Sequence, residues 1–198
     1  MARWYGRHQH IQAGEYQLTP KMTQHDVLLK LMSGDVVIRK VTIPEGLTVV
    51  EIKAIIQQAG GLKGPISITP NEGSLLPDTY HYRYGDTRES IIRRMEKRMR
   101  DELARLWKKR QSLLPLRSPE EAVILASIVE KETGVAEERG RVAAVFINRL
   151  RRNMRLQSDP TVIYAVTLGK RPFDRSITRR DLATQSPYNT YKVLINSC

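Results

Sequence analysis

Between Asp86 and Arg110 the apolar residues Ile91, Ile92, Met95, Met99, Leu103 and Leu106 recur three or four positions apart. That spacing puts them on one side of an α-helix and on both faces of a strand, so the segment predicts a long helix starting near Asp86-Thr87. A stripe of that length needs a second layer to cover it, which makes helix packing a fixed part of the fold. The other side of the helix carries ten Lys and Arg against five Asp and Glu. A face of this kind is either solvated or anion-seeking. It lacks the interleaved aromatics that base stacking uses, and the chain shows no zinc-finger spacing, no RNP pattern and no helix-turn-helix.

The basic excess is general. The 198 residues carry a formal net charge of +12, which points to an anionic partner: nucleic acid, an acidic glycan or a membrane surface. A 40% hydrophobic content is enough for a core, and the length suits one domain or one domain with a small appendage. No apolar run is long enough to span a bilayer, and no signal-like core follows the start. The single cysteine, Cys198, rules out a disulfide scaffold and a cysteine-rich metal site. HExxH, Walker and GxSxG motifs are missing, and His8, His10, His25 and His81 are scattered in polar contexts.

The first third reads as two similar units after a polar, unpatterned start through Gly14. Glu15-Tyr16-Gln17-Leu18 is a short strand signal, Thr23 caps a helix carrying Val27, Leu28 and Leu31, and Gly34 stops it. Val36 to Ile43 is a second strand signal. Thr48 with Glu51 forms a capping box for a helix carrying Ile52, Ile55 and Ile56, which ends at Gly60-Gly61. Pro20 and Pro44 mark corresponding turns twenty-four residues apart. A turn-rich stretch from 61 to 79 precedes the long helix.

Chemistry concentrates further on. Ser118-Pro119-Glu120-Glu121 is a helix start with a cap, a first-position proline and a box. With Ile124 at 0° on a wheel of about 100° per residue, Ile128 falls near 40°, Leu125 near 100° and Val129 near 140°. Glu132 falls near 80°, in the middle of that apolar face, whereas Glu130 falls near 240°. A carboxylate held in apolar surroundings is pushed toward its neutral form and becomes a proton donor. The alternative is that Glu132, at a helix end, reaches water or pairs with an arginine. A further helix spans about 137–152 with Val142, Val145, Phe146 and Leu150 inward. Ser158 or Asp159 then caps another helix that runs to Gly169, and Thr178 with Asp181 marks a last short one. Ser186-Pro187-Tyr188-Asn189-Thr190-Tyr191 mixes rings and amides, suited to a sugar subsite or to an ordinary capped turn.

Several of these stretches together resemble the YceG-like (MltG) endolytic murein transglycosylases. They are Ala126-Ser127-Ile128-Val129-Glu130-Lys131-Glu132-Thr133, Val145-Phe146-Ile147-Asn148-Arg149-Leu150, Leu156-Gln157-Ser158-Asp159-Pro160-Thr161 and Tyr188-Asn189-Thr190-Tyr191. Glu72-Gly73, Leu76-Pro77-Asp78-Thr79-Tyr80 and Ala13-Gly14-Glu15-Tyr16 fit as well. The resemblance implies an α+β fold: a small LysM-like strand–helix subdomain over residues 1–62, then a helix-rich catalytic domain over 63–198. It implies an enzyme that cuts the β-1,4 bond between N-acetylmuramic acid and N-acetylglucosamine in nascent peptidoglycan and leaves a 1,6-anhydro end. The family's catalytic glutamate maps onto Glu132, with Glu130 as the fallback. Gln157, Asp159, Tyr188 and Asn189 are then the candidates to hold the sugar or orient Glu132.

No cofactor and no metal is implied. The partners are glycan strands, with wall-synthesis enzymes such as penicillin-binding proteins, and not nucleic acid. The family's members sit at the periplasmic face of the inner membrane through an N-terminal anchor. Against the family pattern this chain reads as shortened at both ends, without that anchor and without the segment expected after Lys192. Two other readings stand beside it: a non-catalytic murein-binding fragment, and a basic nucleic-acid-binding protein.

Overall fold

A computed structural model describes residues 11–194. The start through residue 10, with His8 and His10, and the end from residue 195, with Cys198, lie outside the described residues. The fold is α+β, with seven α-helices and a two-stranded sheet among the described residues.

Helix α1 (Gln24–Ser33) begins where Thr23 accepts the Asp26 N–H and Asp26 returns its carboxylate to the Thr23 N–H, and it stops at Gly34 with φ of 70°. The strand expected over Glu15–Leu18 does not form. One backbone bond, from the Val37 N–H to the Glu15 carbonyl (2.8 Å), and an ion pair between Glu15 and Arg39 tie that segment down. A ladder needs repeated backbone pairing, and here the Tyr16 hydroxyl instead turns back to the Gln12 carbonyl (2.8 Å). The repeat of two strand–helix units is therefore not realised in full.

Strand β1 (Ile38–Thr42) pairs antiparallel with β2 (Thr79–Arg83), with Val41 opposite Tyr80. The pattern reading missed β2 because it directly follows the turn-rich stretch, yet Tyr80 and Tyr82 alternate inward as strand residues do. Helix α2 (Val49–Gln58) starts at the expected Thr48–Glu51 box. Helix α3 (Arg88–Lys108) starts at Thr87. Val41, Ile43, Ile52, Ile56, Tyr80, Tyr82, Ile91, Ile92 and Met95 form one core, so the sheet and this core run across residue 62. Each fully covered aliphatic side chain there contributes about 1.5–3 kcal/mol.

Helix α4 (Pro119–Glu132) starts at Ser118, which accepts the Glu121 N–H. Glu121 binds the Arg117 backbone N–H and guanidinium, so the expected reciprocal box is only half made. Leu125, Ile128 and Val129 of α4 join Phe146 of α5 (Arg139–Arg151) and Leu156 in a second core. Val145, expected inward, is 52% exposed, and Ile147 packs on this core instead. Helices α6 (Asp159–Thr167) and α7 (Arg179–Leu182) complete the chain. No helix among the described residues is long and apolar enough to cross a membrane.

Several contacts join the halves, two of them through α3 and residues 71–78. The N-terminal part of α3 belongs to the first core, whereas its C-terminal part and the start of α4 line an apolar groove of about 340 Å³. The second connection is residues 71–78. Leu75 enters the first core, the Asp78 carbonyl accepts from Ile43, and Gly73 crosses α4 so closely that a Cβ there would lie 2.9 Å from Val123 Cγ1.

Candidate active site

Glu132 is the last residue of α4. The wheel gave its direction correctly, but it lies past Val129, beyond the reach of the second core, and it is exposed. The chain's own packing therefore does not enclose its carboxylate in apolar side chains, and the burial expected for it is corrected. What holds it is polar: the Ser158 hydroxyl donates to Glu132 Oε1. Ser158 is 2% exposed and stands at the N-cap of α6, yet its hydroxyl makes no cap bond because it turns to Glu132.

A buried network fixes Ser158. Its backbone N–H donates to Thr190 Oγ1 (3.0 Å), which shares a hydrogen bond with Thr161 Oγ1 (2.8 Å), and Thr161 Oγ1 donates to the Ser158 carbonyl (2.6 Å). Gln157 next to it has φ of 53°, a left-handed conformation that an L side chain adopts at a cost of about 1–2 kcal/mol, and its N–H donates to the Thr190 carbonyl. The strain is held where the 157–161 and 190 segments meet. The Gln157 side chain is exposed.

Asp159 is exposed and accepts the Tyr191 hydroxyl at 2.7 Å. That bond is the main cause that pushes the Tyr191 phenol up, aided by burial and by the charges of Asp159 and Glu132, with Arg149 opposing. Arg149 itself donates to the Leu156 carbonyl. Glu132, Ser158, Asp159, Tyr191 and Arg149 are thus one electrostatic group. Glu130 points elsewhere and is taken up by Arg139 at 3.0 Å.

Tyr188 is 46% exposed and meets Tyr164 of α6 edge to face, with centroids 4.9 Å apart. Burial, and then the charge of Glu72, push the Tyr164 phenol up. The Glu72 carboxylate receives the Val49 N–H at the start of α2 (3.1 Å). Its partial enclosure there, with Glu51 nearby, holds it above the ordinary carboxylate range.

Asn189 is 0% exposed. Its Nδ2 donates to the Leu182 and Thr184 carbonyls (3.1 and 2.8 Å), and its Oδ1 accepts the Tyr191 N–H (3.0 Å). Its amide is fully committed to backbone, so it shapes the 182–191 segment and presents nothing to a cleft. Of the four candidates around Glu132, the fold places Asp159 and Gln157 beside Ser158 and Tyr188 on the neighbouring ring pair, and it encloses Asn189. The reading did not single out Ser158 or Thr161 beside Glu132, and it took Thr190 and Tyr191 only as part of the 186–191 segment. Ser158 looked like an ordinary cap, and nothing in a cap's identity tells where its hydroxyl turns.

Among the described residues no three His, Cys, Asp or Glu side chains gather as a metal site. The YceG-like family model matches residues 1–194. The chain belongs to the YceG-like family. It is 33% identical over 214 residues to the endolytic murein transglycosylase of Bacillus subtilis, covering 92% of this chain and 58% of that protein. It is 30% identical over 236 residues to that of Streptococcus pneumoniae, covering 95% of this chain and 42% of that one. The chain therefore spans about half the length of these relatives. The crystal structure of a YceG-like protein from Listeria monocytogenes superposes with a TM-score of 0.61 at 30% identity, over 96% of this chain and 71% of that one.

Proposed function

We propose that this YceG-like chain carries the bond-cleaving site of an endolytic murein transglycosylase, with Glu132 as its catalytic residue. The observation that supports this most is the pairing of Glu132 with the Ser158 hydroxyl, set on a buried Thr161–Thr190 network beside Asp159 and Tyr191. One carboxyl group is oriented by a hydroxyl that has given up its capping role.

In the reaction, protonated Glu132 gives its proton to the glycosidic oxygen between N-acetylmuramic acid and N-acetylglucosamine as the C1–O bond breaks. The 6-hydroxyl of the same muramic acid residue attacks C1 and passes its proton to the Glu132 carboxylate. The product is a 1,6-anhydro end, no water is consumed, and Glu132 returns to its starting state. A second carboxylate is not needed to activate water, unlike in most glycoside hydrolases. Glu132 is exposed in the free chain, so the bound strand supplies the enclosure around it. Tyr188 offers a ring face to a sugar, and Gln157 and Asp159 offer polar groups beside the scissile bond. Asn189 acts through the segment it holds.

Residues 1–62 are read as the LysM-like part. Its turn at Gly46 lies against Glu130 and Lys131 at the Glu132 end of α4. In our reading the complete protein sits at the periplasmic face of the inner membrane, working on new strands beside penicillin-binding proteins. The test is Glu132→Gln with purified uncrosslinked glycan strands and mass detection of anhydro ends. Loss of a proton-transfer group is expected to lower product formation about 10²–10⁴-fold. Undiminished product in that variant overturns the assignment.

A further inference from the structure

At the far end of α4 from Glu132, the last turn of α3 and the connection to α4 form a tip of unusual composition. From Leu103 to Arg117 there are five Lys and Arg and no Asp or Glu. Leu113 on this connection is 83% exposed, the highest value among the large apolar side chains of the described residues, and Leu106 is 50% exposed. Trp107 lies between them in sequence with the Arg110 guanidinium 4.0 Å from its ring centroid. Arg105 and Arg117 are bound by Glu102 and Glu121, whereas Lys108, Lys109 and Arg110 make no ion pair among the described residues. The apolar groove between α3 and α4 includes Leu106, Trp107, Leu114 and Leu116.

We propose that this tip docks on an anionic lipid bilayer, with Leu113, Leu106 and Trp107 entering the headgroup layer and Lys108, Lys109 and Arg110 on its phosphates. Exposed apolar side chains ringed by cations are costly in water and favourable at such a surface, and Trp is enriched at that depth. Three unpaired cations add an attraction that falls off within a Debye length. A soluble polyanion would satisfy the cations and leave Leu113 in water. A protein partner needs a shaped recess for Leu113, which stands outside the groove, whereas lipid adapts to a protruding tip.

The contact has a geometric consequence. Helix α4 starts at Pro119 next to the tip and has 14 residues, a length of about 20 Å. A seated tip therefore leaves Glu132 at the opposite end of that helix from the bilayer contact. The inference does not depend on the catalytic reading.

The test is co-sedimentation of the whole chain with vesicles of phosphatidylcholine alone or with roughly a third phosphatidylglycerol. Binding to the anionic vesicles only, weakened as salt rises from about 0.1 to 0.5 M, is the expected result. Lys108→Glu with Lys109→Glu is expected to weaken it more than about tenfold, and Leu113→Asp about tenfold, both with unchanged melting since the residues are exposed. No sedimentation with anionic vesicles overturns the proposal. So does loss of binding on charge reversal with Leu113→Asp without effect, which marks a site for soluble polyanions or nucleic acid. Preserved binding in both variants overturns it as well.

Discussion

Replacing Asn189 by Ala separates a structural from a sugar-contacting role. The side chain is 0% exposed and makes three hydrogen bonds, all to backbone: two carbonyls, of Leu182 and Thr184, and the Tyr191 N–H. Alanine removes all three and leaves those groups unpaired in a closed space. At about 0.5–1.5 kcal/mol per bond the loss is about 3 kcal/mol, with the unsatisfied groups pushing it upward. For a chain of this size 1 kcal/mol moves the melting midpoint by about 2–4 °C, so the variant is expected to melt about 6–12 °C lower. Urea unfolding checks the same number as a shifted midpoint at unchanged slope. Asn189→Asp is expected to lose as much, since a carboxylate supplies neither donor. A loss below about 1 kcal/mol together with weaker glycan binding would refute the reasoning and return Asn189 to the sugar-binding set.

Ser158→Ala removes the hydroxyl that orients Glu132. At about 1 kcal/mol for one hydrogen bond, turnover on glycan strands is expected to fall about fivefold with KM little changed; a change under twofold would remove Ser158 from the positioning role. Gly73→Ala meets both a left-handed φ of 74° and the Val123 methyl at 2.9 Å, whereas Gly64→Ala has φ of 75° and open space. The first is expected to lower stability by about 1 kcal/mol more than the second, and equal melting of the two would show that α4 yields freely. On the acid side, the Arg175 guanidinium, followed by Thr178, holds the Asp181 carboxyl well below the ordinary carboxylate range. The folded state then binds this proton more weakly than the unfolded chain. Its stabilisation is therefore present above the ordinary carboxylate range and is lost as pH falls below it, and Asp181→Asn should flatten that limb in acid titrations followed by circular dichroism. Glu72 has the opposite sign: its raised proton affinity costs stability as pH rises through its shifted value, and Glu72→Gln should remove that loss.

Several local signals whose deciding partners lie within four residues were readable, although the Ser118–Glu121 box is only half made. The Thr48–Glu51 and Thr178–Asp181 boxes, the Thr87–Ser90 start and the Gly34 stop stand where the residues put them. Pairing across distance was not readable. Glu15–Leu18 has strand composition and no ladder, while Thr79–Arg83 has its partner 37 residues away at Thr42. The Glu132 angle came from periodicity, which says nothing about where a core stops along a helix axis. The hydroxyl of Ser158 and the amide of Asn189 illustrate the same limit, since residue type fixes what a group can bond and only the fold fixes which partner arrives.

The two-stranded sheet has a consequence for self-association. With one hydrogen-bonded neighbour each among the described residues, β1 and β2 are both edge strands; on the outer side of β2, Asp86 takes the Arg83 N–H and Arg94 donates to the His81 carbonyl, so β1 is the edge left for another chain. Along that ribbon Lys40 stands opposite His81 and Ile38 opposite Arg83, and Arg39 sits between them. Arg39 is already held by Glu15, so a second copy pairing in register along β1 meets Lys40 with its own Lys40. Part of the positive excess thus works against the chain's own kind, keeping an exposed ribbon from growing into a larger sheet.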